Sequence, residues 1–204
     1  MPVYEILSFP ASEVLIQDHG ATQPLVDYAS RADGVLEIRS GFAEEDKKSF
    51  YSIIKWESLE NHKSLRARPE HAEFHKIMKP LVAGVPQVVH VEFDIDPTAV
   101  LDAPVTEVTW FVLKVGITKA DIEDTLDQEV IQKTSTLPGV VPGTAWNQTI
   151  EDPSKCLLLG GWRESKDHIE GTKHEMFKEP FAKLAAWAGY SIEHVSFRTV
   201  FKKE

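Results

Sequence analysis

Histidine is the side chain in this sequence best suited to proton transfer near neutral pH, and the chain contains eight of them. His62 and His168 each follow a tryptophan by six residues, in a segment predicted to face the mouth of a pocket. His71 lies near the start of a helical pattern further along the chain. We predict that His62 or His71 is a catalytic residue that removes a proton from a phenol or an activated carbon. The alternative for both is a solvated or purely structural histidine.

His71 and His75 stand four residues apart, so one helix face carries both imidazoles. That spacing is able to hold a metal ion, but a metal site needs further ligands, and the segment lacks the glutamate of a His-Glu-x-x-His motif. In the second half of the chain, the residue four positions after His174 is Lys178. A structural or general-base role of His71 is therefore favoured, and no metal site is predicted.

Aromatic and histidine side chains at other positions are candidates for binding a substrate. Trp56 and Trp162 each end a predicted strand, where an indole ring could stack on a planar molecule or simply fill the core. His90 alternates with Val89 and Val91, which predicts that it faces away from the helices, toward a space between two sheets. The predicted substrate-binding residues are Trp56, His75, His90, Trp162 and His168.

These residues belong to an internal repeat with an offset of 103 to 106 residues. The matching positions keep both their residue type and their order along the chain. They pair Gly34-Val35 with Gly139-Val140, Trp56 with Trp162, His62 with His168, His71 with His174, and His90 with His194. A repeat of this length indicates a duplicated structural unit.

Each half has the same order of predicted elements. An apolar strand is followed by a helical pattern, a hairpin of two strands, a second helical region and a last strand. The predicted hairpin strands cover residues 34–43 and 48–56 in the first half, and 139–150 and 155–162 in the second. We therefore predict an α+β fold of two ferredoxin-like β-α-β-β-α-β repeats, packed sheet to sheet as an intrachain pseudo-dimeric barrel. The predicted repeats are residues 1–97 and 105–204, with residues 96–104 as the linker region.

The composition is that of a globular protein and excludes several classes of function. The 204 residues include 22 basic and 32 acidic side chains, which gives a net charge of −10, without a basic cluster that would favour nucleic acid or an anionic membrane. No stretch approaches the roughly 18 consecutive apolar residues of a membrane span, and Glu5 interrupts the apolar segment that a signal peptide needs. A cytoplasmic protein is expected. The single cysteine, Cys156, excludes an intrachain disulfide.

Two segments of the first half carry a family resemblance. Ile53–His62 places a tryptophan at the end of a strand before a polar helix that contains a histidine, and Arg68–Phe74 has the pattern Pro-x-His-x-x-Phe. This arrangement resembles the antibiotic biosynthesis monooxygenase (ABM) family of dimeric α+β barrels, although Arg68 replaces a small residue of the family pattern. Gly161–His168 and His174–Phe177 are similar to a more diverged copy. The resemblance implies a tandem member, which forms within one chain the barrel that relatives form as homodimers.

The resemblance also implies a cofactor-independent, monooxygenase-like enzyme that acts on a small aromatic or polyketide-type substrate by histidine-assisted proton abstraction. Barrels of this class include polyketide cyclases, lyases and haem proteins, so these remain alternatives. A non-catalytic protein that binds a small ligand or a partner is a further alternative. The sequence contains no nucleotide-binding motif, so no cofactor is predicted. The expected assembly is a monomeric pseudo-dimer or a homodimer.

Overall fold

The computed structural model describes residues 2–204, which fold into two units. The first unit comprises the chain up to Glu92 together with Phe197–Glu204, and the second unit comprises Phe93–Ser196. Each unit contains one antiparallel sheet with its own helices. No helix within residues 2–204 has the length and apolar character that a membrane span requires.

The first unit follows the predicted order of strand, helices, hairpin, helices and strand. Its elements are β1 (Val3–Pro10), α1 (Glu13–Gln17), a 3₁₀ helix (His19–Thr22), α2 (Gln23–Ser30), β2 (Val35–Phe42), β3 (Ser49–Trp56), α3 (Leu59–Arg66), α4 (His71–Met78), a second 3₁₀ helix (Lys79–Leu81) and β4 (Gln87–Val91). The four strands lie in the order β4-β1-β3-β2, and every neighbouring pair is antiparallel.

Apolar side chains on one face of this sheet pack against the helices. One cluster joins Leu7 of β1 to Leu25 of α2, and a second joins Ile54 of β3 to Leu65 of α3. Burying one side chain of this size contributes about 2 kcal/mol to folding. The packing therefore fixes the helices over this face, and a cavity remains between helices and sheet.

The second unit repeats the same order. Its elements are α5 (Thr98–Leu101), β5 (Val105–Leu113), α6 (Lys119–Asp124), a π-helix (Thr125–Ile131), α7 (Gln132–Thr134), β6 (Val140–Gln148), β7 (Lys155–Trp162), α8 (Ser165–Gly171), a 3₁₀ helix (Glu175–Phe177), α9 (Lys178–Trp187) and β8 (Ala188–Val195). The strand order β8-β5-β7-β6 matches that of the first unit. The α+β class and the two ferredoxin-like repeats are thereby confirmed. The face-to-face packing of the two sheets stays a prediction.

Two segments differ from the sequence-based expectation. The predicted linker contains helix α5, which packs against β6 and β7. The last strand, β9 (Arg198–Lys202), pairs with β2 of the first unit, with Ile38 opposite Phe201. The sequence assigns 105–204 to one repeat, whereas the structure adds these C-terminal residues to the other sheet. The reason is physical, because β2 would otherwise present a row of unpaired backbone groups at the sheet edge.

A glycine in the left-handed region precedes the hairpin in both repeats. Gly34 has φ of +85° and Gly139 has φ of +83°. The carbonyl oxygen of Gly34 accepts a hydrogen bond from the backbone N–H of Glu57 at 2.7 Å. A Cβ atom at Gly34 would overlap the side chain of Asn61 in the first turn of α3. The glycine therefore allows the chain to approach the helix that carries the neighbouring His62.

Candidate functional site

Each unit contains a buried cluster of one glutamate, one tryptophan and two histidines. All eight residues are at most 8% exposed. The first cluster is Glu5, Trp56, His62 and His90, and the second cluster is Glu107, Trp162, His168 and His194. Buried polar side chains require internal hydrogen-bond partners. Because functional sites often contain buried groups of ionisable residues, the two clusters are candidate functional sites.

Three strands place most of the first cluster on one face of the sheet. Glu5 lies directly opposite His90 in the pairing of β1 with β4. Trp56 lies opposite Val3, two residues before Glu5. Residues two apart on a strand point to the same face, so the three side chains converge. Helix α3 carries His62 over this face, where its ring stacks on that of Trp56 with centroids 5.0 Å apart.

Hydrogen bonds join the members of the first cluster. The indole Nε1–H of Trp56 donates to Oε2 of Glu5 at 2.8 Å. The Nδ1 atom of His62 lies 2.6 Å from Nε2 of His90 and 3.6 Å from Oε2 of Glu5. Two nitrogens this close must share a proton, so one is the donor and the other the acceptor. The carboxylate can compensate the positive charge that arises when His62 accepts a further proton.

The second cluster has the same pairing with one difference. Nε1–H of Trp162 donates to Oε2 of Glu107 at 3.1 Å, and Nδ1 of His168 lies 2.7 Å from Nε2 of His194. Oε2 of Glu107 lies 3.5 Å from Nε2 of His168, the other ring nitrogen. Oε1 of Glu107 accepts a hydrogen bond from the hydroxyl of Thr109 at 2.6 Å. Both repeats have therefore kept a buried histidine pair next to a carboxylate.

The first cluster contains three side chains that are potential metal ligands. One potential ligand atom each of Glu5, His62 and His90 lie within 4.8 Å of one another, a separation that one metal ion could bridge. The two histidine nitrogens are 2.6 Å apart, whereas two nitrogen ligands of a tetrahedral zinc ion are about 3.4 Å apart. The observed arrangement is therefore that of a hydrogen bond, and proton sharing fits it better than metal binding.

The first cluster borders a cavity of about 410 Å³ between the sheet and helices of the first unit. Glu5, Trp56 and His62 are part of its lining. The remaining lining is mainly apolar and includes Leu7, Leu25, Val26, Phe50, Ile54 and Phe74. A molecule in this cavity would contact His62 in surroundings that exclude most water, and such surroundings strengthen electrostatic interactions.

A second group of polar residues lines another part of the first cavity. It consists of Arg66 at the end of α3, and of His71 and His75 on α4. Nδ1 of His71 lies 3.4 Å from the hydroxyl of Tyr28, and its ring stacks on Phe74 with centroids 5.3 Å apart. Burial is the main cause that lowers the pKa of His71, followed by the electrostatic effects of His75 and Arg66. A lowered pKa keeps His71 neutral at pH 7, so it too is able to accept a proton.

The second unit has a smaller cavity, of about 200 Å³, lined by three members of the second cluster. Gly160 lies opposite Glu107 there, whereas Ile54 lies opposite Glu5 in the first unit. A Cβ atom at Gly160 would lie only 2.9 Å from Oε2 of Glu107. The glycine therefore keeps the surroundings of this carboxylate open.

Comparison with solved structures shows which folds resemble this one. No protein-family model matches the chain, and no curated protein sequence matches it. An anthrone oxidase-like protein superposes with a TM-score of 0.74 at 10% identity, over 100% of this chain and 94% of the other. A candidate monooxygenase from Fusobacterium nucleatum subsp. nucleatum ATCC 25586 gives a TM-score of 0.66 at 12% identity, over 100% and 98%. A candidate monooxygenase from Lactobacillus acidophilus NCFM gives 0.63 at 15% identity, over 99% and 98%.

The chain has the duplicated α+β fold of these proteins. The likeness covers the full length of the chain and confirms the fold that the sequence resemblance implies. At 10 to 15% identity the likeness establishes the architecture, and the reaction has to be argued from the geometry of the site.

The structure brings the predicted site residues into two groups. Five of the seven, Trp56, His62, His90, Trp162 and His168, belong to the buried clusters. The other two, His71 and His75, lie on α4 and line the first cavity. Their catalytic and binding roles stay predictions.

The predicted orientation of His90 is wrong. The sequence predicts that His90 faces away from the helices, but its pairing opposite Glu5 places it on the face that α3 covers. Its side chain contacts His62 and is not part of the cavity lining. Alternation within a strand shows which residues share a face, but it does not show which face the helices cover. His90 is therefore a partner of His62 and does not itself line the first cavity.

The sequence-based prediction missed Glu5 and Glu107. Each is the third residue of a mainly apolar strand, at the same place in the two repeats. A glutamate that is 6 or 8% exposed in such a strand needs specific partners, and here a tryptophan and a histidine provide them. The signal was a charged residue repeated at equivalent positions within two apolar strands.

Proposed function

We propose that the protein is a cofactor-independent, monooxygenase-like enzyme that acts on a small aromatic or polyketide-type substrate by histidine-assisted proton abstraction. The observation that carries the proposal is the position of His62, which contacts both Glu5 and His90 and also lines an apolar cavity. A base in this position reaches a bound molecule while its own charge is compensated by a buried carboxylate.

The cluster gives each residue a role in this reaction. His62 accepts the proton, and His90 fixes the orientation of the imidazole through the shared hydrogen bond. Glu5 stabilises the protonated form of His62, and Trp56 holds Glu5 in place through its indole N–H. His71 is the second candidate base, because it lines the same cavity and its lowered pKa keeps it neutral.

A substrate with an activated methylene group can be oxidised to a ketone by dioxygen alone. His62 removes one methylene proton, and the resulting carbanion transfers one electron to dioxygen. The two radicals combine to a peroxide anion, which takes the proton back from His62, and the hydroperoxide then loses water with the second methylene hydrogen and leaves a ketone. The sum is CH₂ + O₂ → C=O + H₂O, so the substrate supplies all the electrons and no external reductant is needed. If the carbanion instead attacks a carbonyl group of the same molecule, a ring closes without dioxygen.

Anthrone is a suitable probe, because it has an activated methylene and because an anthrone oxidase-like protein shares the fold. We expect one dioxygen to be consumed for each anthraquinone formed, above the rate without protein. His62→Ala should lower kcat about a hundredfold, the contribution typical of a general base. His174→Ala is the matched control, since His174 is exposed and outside both cavities.

Each other outcome has a definite meaning. Oxygen uptake that is unchanged in His62→Ala would contradict the assignment of the base, and His71→Ala would then be the variant to measure. Binding of anthrone without oxygen uptake would contradict the monooxygenase proposal and support a binding protein or a cyclase. A Soret band in the visible spectrum of the purified protein would support the haem alternative.

A further inference from the structure

The two cavities differ in the charge of their lining. In the first cavity, the part formed by α3 and α4 carries Arg66, His71 and His75. The lining of the second cavity, which lies within residues 107–192, contains no lysine or arginine. The difference in charge comes in addition to the difference in volume, about 410 against 200 Å³.

The basic group of the first cavity has little acidic compensation. Within residues 2–204, neither Arg66 nor His75 has a carboxylate at ion-pair distance. The one carboxylate in the cavity lining, Glu5, is already hydrogen-bonded to Trp56 within the first cluster. This part of the cavity therefore carries the guanidinium charge of Arg66 beside the N–H groups of two imidazole rings, and it favours a negatively charged group of a bound molecule.

The surroundings of His71 support the same conclusion. The groups that face it are Tyr28 from α2, Arg66 from α3, and Phe74 and His75 from α4 itself. After burial, the electrostatic effects of His75 and then of Arg66 are the causes that lower the pKa of His71. Burial raises the pKa of the neighbouring Tyr28. Of the two charged residues that act on this hydroxyl, Arg68 lowers its pKa and Glu70 raises it. A bound anion would offset the electrostatic effects on His71 and favour its protonated form.

We infer that the first cavity binds a molecule with an apolar, aromatic body and an acidic group, and that Arg66, His71 and His75 bind the acidic group. The guanidinium of Arg66 can donate two parallel hydrogen bonds to a carboxylate, and the histidines add further donors. The apolar lining takes the aromatic body, with the first cluster as the part of the wall where a proton is accepted. This inference deepens the proposed function, because it names the substrate class of the same cavity.

Two probes of the same shape test the inference. 1-Naphthoate carries a carboxylate, whereas 1-naphthylmethanol has the same ring system without the charge. Isothermal titration calorimetry should show that the protein binds 1-naphthoate about tenfold more tightly than the alcohol. Arg66→Gln should reduce the preference about fivefold, because Arg66 is exposed and its charge is partly screened by solvent. His75→Gln should reduce it further when the two changes are combined.

Lys76→Gln is the matched control. Lys76 lies on the same helix, but it is exposed, pairs with Glu73 at 2.9 Å and does not line the cavity. It should leave the preference for the acid unchanged. Equal affinity for the two probes, no binding of the acid, or a preference that survives the combined Arg66 and His75 variants would overturn the inference. His62→Gln separates this result from the proposed function, because it should lower kcat about a hundredfold and keep the preference for the acid.

Discussion

At the scale of single residues, the bond from Trp56 to Glu5 keeps a carboxylate buried next to the proposed base. Replacing Trp56 by Phe removes the N–H donor and keeps most of the aromatic volume. Because a buried charge then loses a hydrogen bond, we expect the free energy of unfolding to fall by about 2 kcal/mol. Urea denaturation checks the stability. Trp110→Phe is the control, since within residues 2–204 the indole of Trp110 makes no hydrogen bond.

Trp56→Phe also shows whether the hydrogen bond to Glu5 supports the reaction or only the stability of the fold. If the hydrogen bond orients the carboxylate toward His62, then Trp56→Phe should also lower kcat while the KM for the substrate changes little. A loss of stability with unchanged kcat would show that the bond holds the fold and does not support the reaction. A fall in stability equal to that of Trp110→Phe would contradict the energetic role given to the bond.

At the scale of elements, Gly34 decides how closely the start of β2 approaches α3. Alanine at this position is unfavourable for two reasons. The backbone has a positive φ of +85°, and the Cβ atom would overlap the side chain of Asn61, next to His62. Gly116 has almost the same φ, +86°, but a Cβ atom there would meet nothing within 4 Å. We expect Gly116→Ala to cost about 1 kcal/mol in the free energy of unfolding and Gly34→Ala clearly more. Equal shifts of the urea midpoint would contradict the role of the close approach.

Elements with a strong local pattern were predictable, and pairings between distant residues were not. The repeat and the apolar runs of Ser49–Trp56 and Lys155–Trp162, each preceded by turn-like residues, predicted the hairpins, because a short apolar run bounded by turn residues is typical of a buried strand. The β9 strand is short and mostly exposed, and its partner β2 lies about 160 residues earlier.

The candidate site was only partly predictable, because a local pattern identifies some of its residues and the pairing of distant strands brings in the others. His62 follows a motif, whereas its contacts with Glu5 and His90 depend on strand register.

At the scale of the whole molecule, the duplication has conserved the two buried clusters and changed the cavities next to them. Both units keep the carboxylate, the indole donor and the histidine pair. The first cavity is larger and has basic residues, while the second is smaller and has a glycine beside its carboxylate. Two copies of one buried cluster are thus combined with two cavities of different size and lining.

The end of the chain completes the sheet of the first unit, so the stability of that unit depends on residues from the C-terminal segment. Phe201 packs against the core of the first unit, whereas Val200 on the same strand is 38% exposed. We expect Phe201→Ala to destabilise the protein by about 2 kcal/mol and Val200→Ala by less than about 0.5 kcal/mol. Hydrogen exchange followed by mass spectrometry should show faster exchange in β2 for Phe201→Ala. Exchange in β5 should stay unchanged, because its backbone hydrogen bonds go to β7 and β8 of the second sheet. Equal effects of the two variants on exchange in β2 would contradict the stabilising role given to the packing of Phe201.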